Sequence, residues 1–139
     1  MFSFLSKYQD VALLFARLGI GLSYIFVHGG KKLIGGPERW ESTGKAMQNL
    51  GIGFFPVFWG FMAAISESVG GLLIILGFFF RPAATLILIT MFVAATKHFS
   101  DGDPLSKIAY PIEMGMIMIL FFSFGAGKYS LDYKFWKKN

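Results

Sequence analysis

The stretch AAISESVGGLLIILGFF, Ala63 to Phe79, decides the fold. It lies within an apolar run from Pro56 to Phe80, and crossing a hydrocarbon core takes roughly 20 helical residues. At helical spacing Gly60, Ala63, Glu67, Gly71 and Ile74 share one stripe, small at Gly60, Ala63 and Gly71. A charge at the bilayer centre costs at least ~2.5 kcal/mol, so an ionisable group there faces protein or a wet cavity and has a partner. Glu67 therefore predicts a buried, partnered carboxylate on a helix packed closely by its neighbours.

Working outward, the spans read as about 10–28, 56–80, 82–98 and 104–124. Pro56 suits the first position of its helix, FRP marks a tight turn, and Pro82 opens the third run. In the fourth run Asp103 and Pro104 supply an N-cap and a first helical residue, leaving Pro111 as an internal kink that a membrane helix tolerates. Between the first two runs, Trp40, Met47 and Leu50 fall on one face and Glu41 with Lys45 forms an i, i+4 pair. The segment about 37–50 thus reads as a short amphipathic helix in the interface. The C-terminal GAGKYSLDYKFWKKN sets Tyr and Trp beside Lys, as an interfacial anchor does.

Composition agrees. The chain has 139 residues, 55% hydrophobic, 18% aromatic and only 15% charged, with a mean hydropathy of +0.59. A soluble domain of this size needs more polar surface than that. The net charge of +5 comes from residues at the ends of apolar runs, a membrane-loop pattern that argues against nucleic acid. With no cysteine, disulfides, iron–sulfur ligation and thiol relays are excluded. Arg17 interrupts the first run and no small-residue cleavage site follows, so that run does not read as a signal peptide. The expected architecture is all-α, an integral antiparallel four-helix membrane bundle forming one domain.

Four spans put both termini on one side. Lys7, Arg81, Lys128, Lys134, Lys137 and Lys138 lie there, against Lys31, Lys32, Arg39, Lys45 and Lys107 opposite, with Lys97 at the border. The tight loop at Arg81 and the basic tail favour cytoplasmic termini in an inner membrane.

On the first helix Arg17, Gly21, Tyr24 and His28 share a stripe; Thr90 and Lys97 align on the third; Glu113 shares the face of Ser106, Ile117 and Leu120 on the fourth. Arg17, Lys97, Glu67 and Glu113 sum to zero formal charge, and Arg17 is expected to pair with Glu67 as interhelical glue. His28, Lys97, His98 and Glu113 lie towards the side opposite the termini, as candidates for ligand binding or proton handling. Lys31, Lys32 and Lys107 read as interfacial charges. A metal centre would need His28, His98 and a carboxylate to converge beside opposing cations, so none is expected. A bis-His haem b is disfavoured because both histidines lie at helix ends. A quinone or similar amphipathic ligand fits better: its head accepts hydrogen bonds from Arg, His or Lys, and its tail lies among Phe and Met.

RLGIGLSYIFVHGGKKLIG (Arg17–Gly35), ESVGGLLIILGFFFRPAA (Glu67–Ala84) and GAGKYSLD (Gly125–Asp132), in this order and spacing, resemble the signature stretches of DoxX proteins, small bacterial and archaeal four-helix membrane proteins. The resemblance runs from about Leu13 to Asp132. It implies Arg17, His28, Lys32 and Glu67 as characteristic polar residues, with Glu113 matching more loosely. It also implies a redox association, since the family is named for its likeness to a membrane subunit of a thiosulfate:quinone oxidoreductase. Lys97 and His98 rest on the residue reading alone.

The expectation is a quinone-binding membrane component of an oxidoreductase system, working with the bilayer and a soluble or membrane redox partner. Glu67 and Arg17 would order the pocket floor, with Tyr24 and Lys32 beside them. His28 and Glu113, assisted by Lys97 or His98, would carry the chemistry. The alternatives are a non-enzymatic scaffold, and a solute or proton-coupled transporter that needs a homodimer, with Gly60, Ala64 and Ser68 as its small-residue face.

Overall fold

The apolar runs form four helices long enough to cross a bilayer: Gln9–Ile34, Pro56–Leu76, Phe80–Ser100 and Leu105–Phe124. The computed structural model describes residues 3–136, and these contain helices and no strand. Lys137 and Lys138, counted above as basic residues of the tail, lie outside the described residues. The chain is a multi-pass membrane protein.

Helix boundaries differ from expectation where backbone chemistry outweighs side-chain pattern. The first span runs on to Ile34 through a wide π-helical segment, Tyr24–Gly29. The turn between the second and third spans is Gly77–Phe79, so Pro82 falls in the first helical turn, where its missing N–H costs nothing. Gly77 and Phe79 take positive φ, 61° and 44°. For a phenylalanine that is strained, and Asp132 compensates: its two carboxylate oxygens accept the Phe79 and Phe80 N–H groups at 2.8 and 2.9 Å. Asp103 does not cap the fourth span; Pro104 occupies that position, and the Asp103 carboxylate turns to His98 and Lys107. Pro111 lies inside the fourth helix and is buried.

The second span is central. It packs on the first and third, and the third packs on the fourth. The first and fourth spans meet where His28 stacks on Tyr110 at 4.7 Å between ring centroids. Towards the termini they part around an apolar groove of about 560 Å³, with Leu13, Ala16 and Ile20 on one wall and Ile117 and Phe121 on the other. The buried core centres on Tyr24, Ile74, Phe80, Ile87, Met91 and Met118.

The segment between the first two spans is shorter and more tightly docked than an interfacial helix. A helix Gly36–Gly44 gives way to a 3-10 turn, Lys45–Leu50. The change of winding leaves Leu50 exposed while Trp40 and Met47 are half-buried. Trp40 meets Phe61 edge-on at 4.9 Å and donates its Nε1–H to the Lys32 carbonyl at 2.9 Å. Backbone approaches backbone here: a Cβ on Gly60 would stand 1.6 Å from the Trp40 carbonyl oxygen, and one on Gly44 would stand 1.7 Å from that of Pro56. Gly60 and Ala64 are therefore consumed inside the chain and offer no face for a homodimer. Gly60→Val is expected to cost roughly 1–3 kcal/mol or more by overpacking. It should also free the elbow, read as faster tryptic cleavage at Arg39 and Lys45 in intact membranes. Wild-type cleavage rates would contradict the close approach.

Candidate functional site

The intramembrane polar residues divide into two clusters instead of one. Packing register is the cause. A Cβ on Gly29 would stand 2.4 Å from the Ser68 nitrogen, and one on Gly21 would stand 2.7 Å from the Gly71 carbonyl oxygen. These contacts align His28 and Gly29 with Glu67, and they carry Arg17 down to the end of the second span. Between Glu67 and Ile75 the helix descends ~12 Å.

Arg17 consequently does not pair with Glu67, a correction of the sequence expectation. Its guanidinium, only 1% exposed, donates to three backbone carbonyls: Nη1 to Ala126, and Nη2 to Tyr129 at 2.8 Å and to Ile75 at 3.3 Å. Ile75 belongs to the last turn of the second span, where carbonyls lack helical partners. Arg17 thus ties that helix end to the loop after the fourth span. The same loop is fixed again by Asp10, whose Oδ1 accepts the Lys128 N–H at 2.9 Å, and by Asp132 at the third helix. The geometry of GAGKYSLD is that of a clamp. Asp10 and Asp132 were not singled out in the sequence; a carboxylate just inside a run that ends at a basic loop is the signal that would have found Asp10.

The second cluster gathers Tyr24, His28 and Lys32 of the first span, Glu67 of the second and Tyr110 of the fourth. The wide π-helical turn keeps the four-residue steps Tyr24, His28, Lys32 nearer one line than a regular helix would, and such turns frequently occur at functional sites. Lys32, placed in the sequence among interfacial charges, reaches inward: its Nζ bonds Glu67 Oε1 at 2.7 Å, with the Glu67 side chain 1% exposed. The other carboxylate oxygen, Glu67 Oε2, is buried without a hydrogen-bond partner, and the hydroxyls of Tyr24 and Tyr110 are buried beside one another. The two hydroxyls lie close enough to each other and to Glu67 to interact electrostatically. His28 is half-buried, stacked on Tyr110 and tilted against Tyr24 at 5.8 Å. Tyr110, absent from the sequence candidates, stands on the inner side of the fourth helix one residue before the buried Pro111.

The remaining candidates lie elsewhere. Glu113 faces outward and has no hydrogen bond or ion pair among the described residues, so it does not join His28. Three residues separate it from Tyr110, and in a helix that is most of a turn. Lys97 pairs with Asp101 one turn on. His98 Nδ1 lies 2.7 Å from Asp103 Oδ2, and Lys107 bonds the other Asp103 oxygen at 3.2 Å. These partners hold the Asp103 carboxyl below the usual aspartate range, the hydrogen bond from His98 contributing most. A depressed carboxyl contributes stability above its unfolded pKa and loses it as pH falls through the folded one. Acidification through that lowered value, or Asp103→Asn at neutral pH, should therefore speed amide exchange in residues 101–104. Unchanged exchange in Asp103→Asn would contradict the staple. No group of three His, Cys, Asp or Glu side chains placed to hold a metal occurs among the described residues.

The geometry can be set beside known proteins. Residues 12–99 match the DoxX family model, so the match includes Arg17, Tyr24, His28, Lys32 and Glu67 and leaves Asp10, Tyr110 and the Gly125–Asp132 loop outside. An uncharacterised protein of Haemophilus influenzae is 30% identical over 142 residues, covering 96% of this chain and 98% of its own length. No solved structure matches. With the larger part of its length matched by the model, the chain belongs to the DoxX family.

Proposed function

We propose that the chain is the ligand-binding membrane component of an oxidoreductase system, and that the Tyr24–His28–Lys32–Glu67–Tyr110 cluster takes the polar head of a quinone. The observation that carries this reading is the buried Glu67 Oε2, left without a hydrogen-bond partner beside the mutually close buried hydroxyls of Tyr24 and Tyr110. Leaving such a group unsatisfied costs ~1–3 kcal/mol, a cost proteins retain where a ligand or proton completes the set. A quinone suits the donor set: the tyrosine hydroxyls and the Lys32 ammonium are the donors that would hold its carbonyl oxygens, and His28 and Tyr110 are the aromatic rings that would lie beside it. When bound, a quinone supplies two-electron, two-proton redox chemistry to a chain that has no thiol of its own. Glu67 holds a proton at Oε2 or releases it, while Lys32 fixes Oε1. Electrons must then come from a soluble or membrane partner protein. We place the termini in the cytoplasm and the chain in the inner membrane, supported by Arg81 in the tightest turn and the basic tail.

The test is retention. Protein purified in mild detergent from quinone-containing membranes should carry lipid-soluble quinone into an organic extract, and His28→Gln with Tyr110→Phe should carry less at equal folded yield. Extracts free of quinone from both proteins would end the proposal. A scaffold role is the second reading, favoured by the Lys32–Glu67 ion pair as helix glue. On that reading the same variants lose stability and no ligand.

A further inference from the structure

Three carboxylates lie within the four spans, and two of them are held: Asp10 by the backbone and side chain of Lys128, and Glu67 by Lys32. Glu113 is the third. It is exposed on the outer face of the fourth span, with no partner among the described residues. Between Leu105 and Glu113 the helix descends ~12 Å, and between Glu113 and Phe124 another ~17 Å. Neither distance is within reach of a glutamate side chain, so it cannot extend to water at either surface, and lipid headgroups do not enter at that depth. The neighbours on its face, Ile112, Met116 and Leu120, are exposed and apolar. Half-buried Ala109, one turn away, is small enough for a second helix to come near.

We propose that this face is where a second copy of the chain docks, with Glu113 meeting its own counterpart across a two-fold axis normal to the membrane. Symmetry supplies the partner. A two-fold contact sets identical residues at identical depth, and two carboxyls that share a proton are donor and acceptor to each other. A head-to-tail contact would require an exposed cation at mid-depth, whereas the exposed Lys31 and Lys107 stand near span ends. Hydrogen bonds between helices in a bilayer supply the attraction that hydrophobicity cannot, since lipid is as apolar as Leu. The face lies outside the Tyr24–Glu67 cluster, so this inference does not depend on a quinone.

The absence of cysteine makes a direct test available in native membranes with the full chain. Single cysteines at Ile112, Met116 and Leu120 should give oxidative dimers, and one at exposed Phe92 on the third span should not. In the Met116→Cys background, Glu113→Leu should lower the dimer yield by roughly 3- to 30-fold, the range of an interhelical hydrogen bond in lipid. Glu113→Gln, whose amide also donates and accepts, should retain most of it, which separates a lost contact from a lost fold. Cross-linking that is unchanged in Glu113→Leu would overturn the proposal. So would cross-links from the fourth-span cysteines only to a different protein, or no dimer from any of the three positions.

Discussion

Arg17→Ala unfolds the terminal end of the bundle and lowers stability by ~3–5 kcal/mol, the cost of breaking a buried charged contact. Three carbonyls lose their donor together: Ile75 at the end of the second span, and Ala126 and Tyr129 in the following loop. The loss spreads because the loop also carries Asp132, which holds Phe79 and Phe80 in the tight turn. Gly77 has no slack to absorb a rearrangement; a Cβ there would stand 2.5 Å from Arg17 Nη1 and from Ser130 Cβ. Arg17→Lys keeps the charge but cannot span three acceptors with one ammonium, so it should recover less than half of the loss. Unfolding in a detergent titration reads both variants, and a shift within ~0.5 kcal/mol for Arg17→Ala, the ordinary surface-substitution range, would contradict the clamp.

Glu67→Ala has the second large effect, and it should act on stability and on ligand binding by separable routes. Removing the carboxylate leaves the Lys32 ammonium facing a buried site without its counter-charge, at ~3–5 kcal/mol. The double variant Glu67→Gln with Lys32→Met removes both charges and should recover most of that stability, because the pair is coupled. Quinone retention should stay lost in the double variant, since the carboxylate and the ammonium of the site are both gone. A double variant that binds as wild type would reduce the pair to helix glue.

Sequence periodicity disclosed the spans because a bilayer imposes one length and one polarity on every crossing helix. The stripe of Gly21, Tyr24 and His28, and that of Gly60, Glu67 and Gly71, also carried through to the bundle, since small residues decide where helices come close. What a stripe cannot give is register between two helices. Arg17 and Glu67 both face inward, yet the Gly29–Ser68 and Gly21–Gly71 contacts hold them about two turns apart, and Lys32 takes the place given to Arg17. The π-helical turn, which brings Lys32 round, has no periodic signature to read. Glu113 was misread because its helix packs against the third span alone along most of its length, so half of its face is outer surface. Tyr110 went unnoticed for a related reason: a lone tyrosine beside a proline reads as packing until its neighbour His28 is placed.

On the proposed function, a structural cluster at Arg17 is separate from the ligand cluster at Glu67. Equilibrium binding of a short-chain quinone to the chain in lipid nanodiscs, compared among wild type, Glu67→Gln and Arg17→Lys at temperatures where each is folded, tests it most directly. Wild type should bind saturably, Arg17→Lys with an affinity within about twofold of it, and Glu67→Gln with a loss of roughly tenfold or more, the scale of one charge-assisted hydrogen bond. Equal binding by wild type and Glu67→Gln, or none by wild type, would contradict it.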